Sequence, residues 1–447
     1  MNADLTVELP GGREVPVGVI EEIGSPGRST IEFRYAPTYL TDPEAYALSP
    51  DLPLGPGRFT PRGTRAMFGG IADAQPDLWG RRLIDAGRRR NAKVHSARFT
   101  RPTELDVLCA VPDLTRQGAI RVVKDGEHIA RGLSTPTLVD LPDLIAMARA
   151  FEDGEEIPDE FRRLVNAGSS MGGTRPKATV RLPDGTLAIA KLPREDDFGD
   201  AMAWEATALE LARRSGVHVP QFTHHRTGFQ SVLVVARFDR DGDRRVGYLS
   251  ADSLLMKQPG EVYDYTDLVE AISPLSGAAR TDAHELFRRI AVTLLINNVD
   301  DHLKNHGLIR KATGWRLSPV FDINPFYRSG SVESTPLTRE DDPRDRDIRN
   351  LVDAAESFSL SSADAIAIVR TAEVETSEWR NVAREFGIEP EGADAMAAAF
   401  ENPNRDIAIG LPPPRPKPVR VVLGEQPRTT AGRFDSKRQS PPESGLD

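Results

Sequence analysis

Residues 297–309 read NNVDDHLKNHGLI and follow an apolar run that ends at Ile296. Two adjacent carboxylates, Asp300 and Asp301, therefore stand where a core-facing segment ends. An acid at a core boundary is costly unless a cation or a donor lies beside it. Asn305 comes five residues after Asp300, and a third acid, Asp322, follows in residues 318–325, SPVFDINP. Carboxylate and amide oxygens are the hard donors that magnesium takes. The order reads as one acid able to accept a proton, then two metal-binding oxygens, Asn305 and Asp322.

That order is the one in which kinases place the base and metal ligands of phosphoryl transfer. The rest of such a site should then lie upstream, in a fixed sequence. Residues 169–177, SSMGGTRPK, offer glycines that let backbone amides approach phosphate oxygens. Gly172, Gly173, Thr174, Arg175, Pro176 and Lys177 form this candidate loop. It is neither GxGxxG nor a Walker A loop, so on this feature alone a plain hairpin turn reads equally well. Lys191 ends the strand TLAIAK, much as a lysine ends the VAIK strand of kinases. Glu205 lies in the next helical run and is a candidate partner for Lys191, with Glu210 as its rival. Residues 230–240, QSVLVVARFDR, stand where a kinase hinge would be, with the backbone of Ala236, Arg237 and Phe238 facing the base of a nucleotide. His302 and Lys304 lie inside the catalytic string, near the same nucleotide. Asp301 reads either as a helper or as a structural cap.

Composition narrows the class. The chain has 447 residues, 39% hydrophobic and 28% charged, which is ordinary for a globular protein of two or three domains. It contains neither an apolar run long enough to span a membrane nor a basic, apolar leader, so a cytoplasmic protein is expected. Cys109 is the only cysteine, and in LDVLCAV it reads as a buried core thiol. A net charge of −10 argues against nucleic-acid binding by the whole surface. Arg81, Arg82, Arg88, Arg89 and Arg90 form one local basic cluster, most simply a solvated helix face. His224 and His225 are neighbours on a strand and face opposite ways, which does not suit one zinc ion.

Local patterns give an α+β fold. Val15, Val17 and Val19 alternate, as do Ile31, Phe33 and Tyr35, so the N-terminal module reads as β-rich. Pro16 suggests that its first strand lies at an edge. Asp184–Gly185 signals a hairpin. Trp204, Ala208 and Leu211 have helical spacing, with Gly216 as the cap. The mixed run 339–349 reads as a solvated loop, and Ser361 with Asp364 as a capping box. The chain from Leu411 is rich in proline, serine and arginine and reads as a disordered tail. The expected divisions are 1–105, 106–240, 241–405 and the tail 411–447.

Taken together, GSSMGGTRPKATV, VDDHLKN and FDINP resemble the motifs of the HipA-type serine/threonine kinases, toxins of HipA–HipB toxin–antitoxin pairs. FRYAPTYL, LSPDLPL and DLWGRRLI resemble their N-terminal module. The resemblance implies a two-lobed protein-kinase-like fold with a mainly helical C-lobe that binds ATP and Mg2+. It implies Asp300 as proton acceptor, Asn305 and Asp322 as metal ligands, and Lys191 on phosphate. It implies transfer to a protein serine, in some members on an aminoacyl-tRNA synthetase. Ser170 matches the autophosphorylated position, with Ser169 as rival; phosphorylation there would add roughly two negative charges and eject the loop. A HipB-like helix-turn-helix antitoxin is the implied partner, with DNA reached through it. The chain lacks the HRD of eukaryotic kinases, since Asn298 and Val299 precede Asp300.

Overall fold

The computed structural model describes residues 2–25, 28–129, 135–155, 174–227, 230–258, 260–327, 334–344 and 346–412. Alternating apolar residues build the first sheet. β1 (Asn2–Glu8), β2 (Glu14–Ser25) and β3 (Arg28–Tyr35) form an antiparallel meander, and β4 (Ile120–Lys124) and β5 (Glu127–His128) extend it in the order β3-β2-β1-β4-β5. Leu5, Val7, Val17, Phe33 and Val122 are fully buried on its inner face. The sheet thus draws β4 and β5 from beyond residue 105, past the division read from the sequence. Pro16 is not in an edge strand: β2 lies between β1 and β3. It is tolerated because the register shifts at Leu5/Thr6, opposite Pro16, and β3 pairs with β2 only from Gly18 onward.

The second sheet carries half of the site. β6 (Lys177–Arg181), β7 (Leu187–Lys191), β8 (Phe222–Thr227) and β9 (Gln230–Ala236) run in the order β6-β7-β9-β8. The expected hairpin joins β6 to β7, and Gly185 takes the positive φ, +89°, that its turn requires. One face of the sheet, with Ala178, Val180, Ala188, Ala190 and Val234, packs against Trp79 and the helix Leu141–Glu152. Side chains alternate across a strand, so Lys177 and Lys191, cross-strand partners, lie together on the other face. The helix Ala201–Arg214 packs with Leu233 and Val235 of β9 in the main core. Asp200 Oδ1 caps it by accepting from Ala203 N at 3.0 Å, and Gly216 (φ +81°) follows its C-terminus as read.

A short hairpin, β10 (Arg240–Asp241) and β11 (Arg244–Arg245), leads into a mainly helical half. There β12 (Tyr248–Ser250), β13 (Gly307–Lys311) and β14 (Gly314–Leu317) form a three-stranded sheet beside the helix Ala279–Leu295. Leu286, Phe287, Ile290, Ala291, Leu294 and Leu295 bury that helix in the core. The loop bearing Asp300 leaves the end of this rigid helix and enters β13, so both its ends are fixed. Antiparallel sheets followed by a helical half are the α+β arrangement expected. Ser361 Oγ caps the helix Ser362–Ser377 by accepting from Asp364 N at 3.1 Å, but Asp364 accepts the Ser361 hydroxyl rather than completing the box. Leu411 ends the helix Pro403–Gly410, and its carbonyl accepts from Arg370 at 2.6 Å. It belongs to the folded part, and the rest of the expected tail, from residue 413, lies outside the described residues.

Candidate active site

Lys191 projects from the end of β7 and is only 8% exposed. Its ammonium lies 2.5 Å from Glu205 Oε1 and 2.9 Å from Asp322 Oδ1. Glu205 is therefore the partner. Its rival Glu210 turns outward to Arg213 and Arg214. Burial works against the Lys191 charge, but Asp322 and Glu205 outweigh it and raise its pKa. Burial pushes the Glu205 carboxyl up against the pull of Lys191. Burial also pushes Asp322 up, yet the Lys191 and Lys177 ammonium groups hold it well below the usual carboxylate range. Asp322 sits at φ +58°, a left-handed conformation that side-chain-bearing residues adopt at a cost. That backbone turns its carboxylate toward Lys191.

The other half comes from the loop after the helix Ala279–Leu295. The Asp300 side chain is 70% exposed and lies 3.7 Å from His302 Nε2. His302 also pulls on the Asp322 carboxyl. Asn305, 7% exposed, donates from Nδ2 to the Asp300 carbonyl at 2.8 Å and keeps its side-chain oxygen for other use. Asp301 has an assignment that its sequence position does not reveal. It is 2% exposed, accepts from the Tyr265 hydroxyl, and lies 3.0 Å from His306 Nε2. The Thr335 amide and hydroxyl both reach its carbonyl at 2.9 Å. Ser334 Oγ donates to Val299 O and Arg346 Nη2 to Asn298 O. The run 339–349 is therefore more than a solvated loop, since Arg346 braces the loop that carries Asp300.

The remaining expected residues divide. Lys177 is buried at 6% exposure and faces Lys191 across the strands. Arg175 forms a two-pronged pair with Asp197 at 2.6 and 2.7 Å, and the carbonyl of buried Pro176 accepts from Leu192 N. Both brace the loop's exit, while Thr174 is exposed. Ser169, Ser170, Gly172 and Gly173 lie outside the described residues. At the expected hinge the amide of Ala236 is donated to Gln221 O and that of Arg237 to Leu187 O. Both amides are thus engaged within the protein, and a hinge contact by these two residues would fall to their carbonyls. The Arg237 side chain is committed to Asp239 and the Thr115 carbonyl. The Phe238 ring packs 5.6 Å from that of Phe321, next to Asp322. Lys304 pairs with Asp77 at 2.9 Å, and neighbouring Trp79 donates from Nε1 to Lys177 O at 3.2 Å. The segment around Asp77 thus touches both the loop after Asp300 and β6, a feature with no sequence signal beyond an aromatic in DLWGRR.

The basic cluster is largely neutralised from within. Arg81 pairs with Glu104, Arg88 with Asp106 and Arg89 with Asp85, while Arg82 lies over Phe151. Cys109 is half-buried rather than a core residue, and burial raises its thiol. Among the described residues no helix is long and apolar enough to cross a membrane.

The site has an ion-paired lysine, an exposed acid and two oxygen donors. Among the described residues no three His, Cys, Asp or Glu side chains gather around a metal position. Asn305 and Asp322 suit magnesium, which keeps water or phosphate oxygens for its other positions. Similar proteins bear on the family and the fold. The provisionally named kinase Y4mE of Sinorhizobium fredii is 24% identical over 318 residues, covering 66% of this chain and 71% of its own. The HipA structure from the Shewanella oneidensis HipA–HipB–operator DNA complex superposes with a TM-score of 0.62 at 15% identity, covering 91% of this chain and 98% of that one. It shares the fold, which is therefore the two-lobed kinase-like one. The model of the HipA-like C-terminal domain matches residues 169–400, more than half of the chain, so this chain belongs to the HipA-like family.

Proposed function

We propose that the chain is an ATP- and magnesium-dependent serine/threonine protein kinase, the toxin of a toxin–antitoxin pair. The observation that carries this reading is Lys191, buried and held between Glu205 and Asp322. Bound Mg-ATP would supply the phosphoryl group and the cation that neutralises it. Lys191 holds a phosphate-binding charge in place, with Glu205 fixing its direction. Asn305 and Asp322 offer the metal its protein oxygens. Asp300 stands open to solvent, where an incoming serine hydroxyl can hand over its proton. His302 and Lys304 line the same loop.

The finer assignments follow from family resemblance. The acceptor is a serine of a protein, with an aminoacyl-tRNA synthetase as one candidate. Ser170, or Ser169 beside it, is the autophosphorylation site that switches the enzyme off. A HipB-like helix-turn-helix protein is the antitoxin, and DNA is reached through it. The internal pairing of the Arg81–Arg90 cluster favours that indirect route over direct DNA binding by this surface. A cytoplasmic location fits these partners.

Incubation with γ-labelled ATP, Mg2+ and cell lysate tests the reading. Label is expected on protein serine with the wild type and not with Asp300→Asn. Label confined to small molecules, or equal labelling by the variant, would sink it. Mass spectrometry of the purified chain, with Ser170→Ala and Ser169→Ala as controls, decides which serine is modified.

A further inference from the structure

We propose that Asp301 is a positioning residue, working with His306 and Tyr265 to fix the span between the base and the first metal ligand. Asp301 directly follows Asp300, and His306 directly follows Asn305. The contact between them, 3.0 Å from His306 Nε2 to Asp301 Oδ1, therefore closes a ring around the Asp300–Asn305 loop from behind. Both side chains are almost wholly buried, at 3% and 4% side-chain exposure. The other Asp301 oxygen accepts from the hydroxyl of Tyr265, itself fully buried in the helix Tyr265–Ile272. That helix starts with a reciprocal cap between Asp264 and Asp267, so the tyrosine is a stiff anchor. The Tyr265 ring meets the His306 ring edge-on at 5.5 Å, which fixes the third side of the triangle. On the front of the same ring, Asn305 Nδ2 bonds to the Asp300 carbonyl.

The consequence is mechanical. The positions of Asp300 and Asn305 are set by residues that face away from the substrate. An acid here carries a burial cost that only its partners offset. Retaining it makes sense if register matters more than stability, since a displacement of about 1 Å at a reacting group can cost roughly a hundredfold in rate.

Two variants test this, Asp301→Asn and Tyr265→Phe. The inference rests on the kinase reading for its kinetic measurements and not for its exchange measurement. In the nucleotide-free protein, hydrogen exchange at the Asn305 and His306 amides, which bond to His302 O and Leu303 O, is expected to speed up about tenfold in Asp301→Asn. In the assay, kcat is expected to fall and the KM for Mg2+ to rise, each about tenfold, with the KM for ATP at saturating Mg2+ held within about twofold. A merely structural role lowers kcat with the folded fraction and leaves the Mg2+ dependence alone. A folded Asp301→Asn protein with wild-type exchange and wild-type Mg2+ dependence overturns the proposal. If that variant does not fold, Tyr265→Phe decides. It removes one hydroxyl and should shift the same quantities two- to fivefold, by rough scaling, and no shift overturns the proposal. A wild type that transfers no phosphoryl group refutes the kinase reading, while the exchange result still decides this one.

Discussion

Replacing Lys177 by methionine should make this protein more stable and less able to bind a nucleotide. Lys177 is 6% exposed and lies opposite a second buried lysine, Lys191. Burial depresses its ammonium, and Lys191 depresses it further, while Asp322 pulls the other way. The balance takes its pKa from 10.5 to about 8. Each pKa unit is about 1.4 kcal/mol, so the charged form is penalised by roughly 3 kcal/mol in the folded state. Methionine keeps the stem and drops the charge. Removing the polar interactions of the ammonium offsets part of the gain, leaving about 1–3 kcal/mol at neutral pH. The sign with pH follows from proton counting. Between about 8 and 10.5 the unfolded chain still holds the proton that the native chain has released, so wild-type stability rises with pH through that window. The advantage of the variant is therefore full below the window and gone above it. Guanidinium unfolding followed by tryptophan fluorescence measures this, and Trp79, bonded to the Lys177 carbonyl, is a nearby reporter. Saturating Mg-ATP should then stabilise the wild type more than the variant, because only the wild type retains the charge that phosphate would meet. A Lys177→Met protein that is less stable at neutral pH, or whose gain is unchanged near pH 10, refutes the reasoning.

Asp300→Asn should leave the unfolding midpoint within about 0.5 kcal/mol of wild type, since the side chain is 70% exposed, and lower kcat by about 10²–10⁴. Chemical denaturation and the labelled-ATP assay on one preparation check both halves. Asp239→Asn should cost about 3–5 kcal/mol, because the buried carboxylate pairs with Arg237 and Arg240 and accepts the Gly118 amide at 2.8 Å. Burial pushes that carboxyl up but the two guanidiniums hold it below its ordinary 3.8, so its stabilisation is present above that pH and lost on acidification; an acid titration of wild type against the variant should show the difference vanish. Trp79→Phe should cost about 2–4 kcal/mol by leaving a void and the Lys177 carbonyl unbonded, read as a drop in thermal midpoint.

The residues legible in the sequence are those whose role depends on neighbours along the chain. Asp300, Asn305 and Asp322 lie in short strings, and Lys191 ends a strand whose alternation marks its direction. Glu205 is hard to tell from Glu210 along the chain because the helix Ala201–Arg214 is buried on most of its surface, so phase carries little information. Only the tertiary contact of Glu205 with Lys191 separates them. Pro16 misleads for the same kind of reason. A proline forbids one ladder bond, and whether a strand lies there depends on where β3 ends, which is a tertiary fact. The Arg237 guanidinium is buried in a network with Asp239 and the carbonyls of Thr115 and Arg116, which its apolar-looking strand conceals. The Arg-x-Asp spacing in RFDR is the one signal of it in the sequence.

Asp301 shows why the remainder is hidden. Its partners are Tyr265, 36 residues earlier, and His306, five later, and no periodicity joins the three. Seen along the chain, the spacing to Asn305 favours Asp300 as the base and leaves Asp301 as either a helper or a structural cap. Seen in the fold, they differ in exposure by more than twentyfold, 70% against 3%. Exposure separates what each can do: an acid that is to meet a diffusing hydroxyl has to be open, while one buried against Tyr265 and His306 is closed to it. On the proposed reading the pair divides one task, in which Asp300 takes the proton and Asp301 holds the loop that carries it.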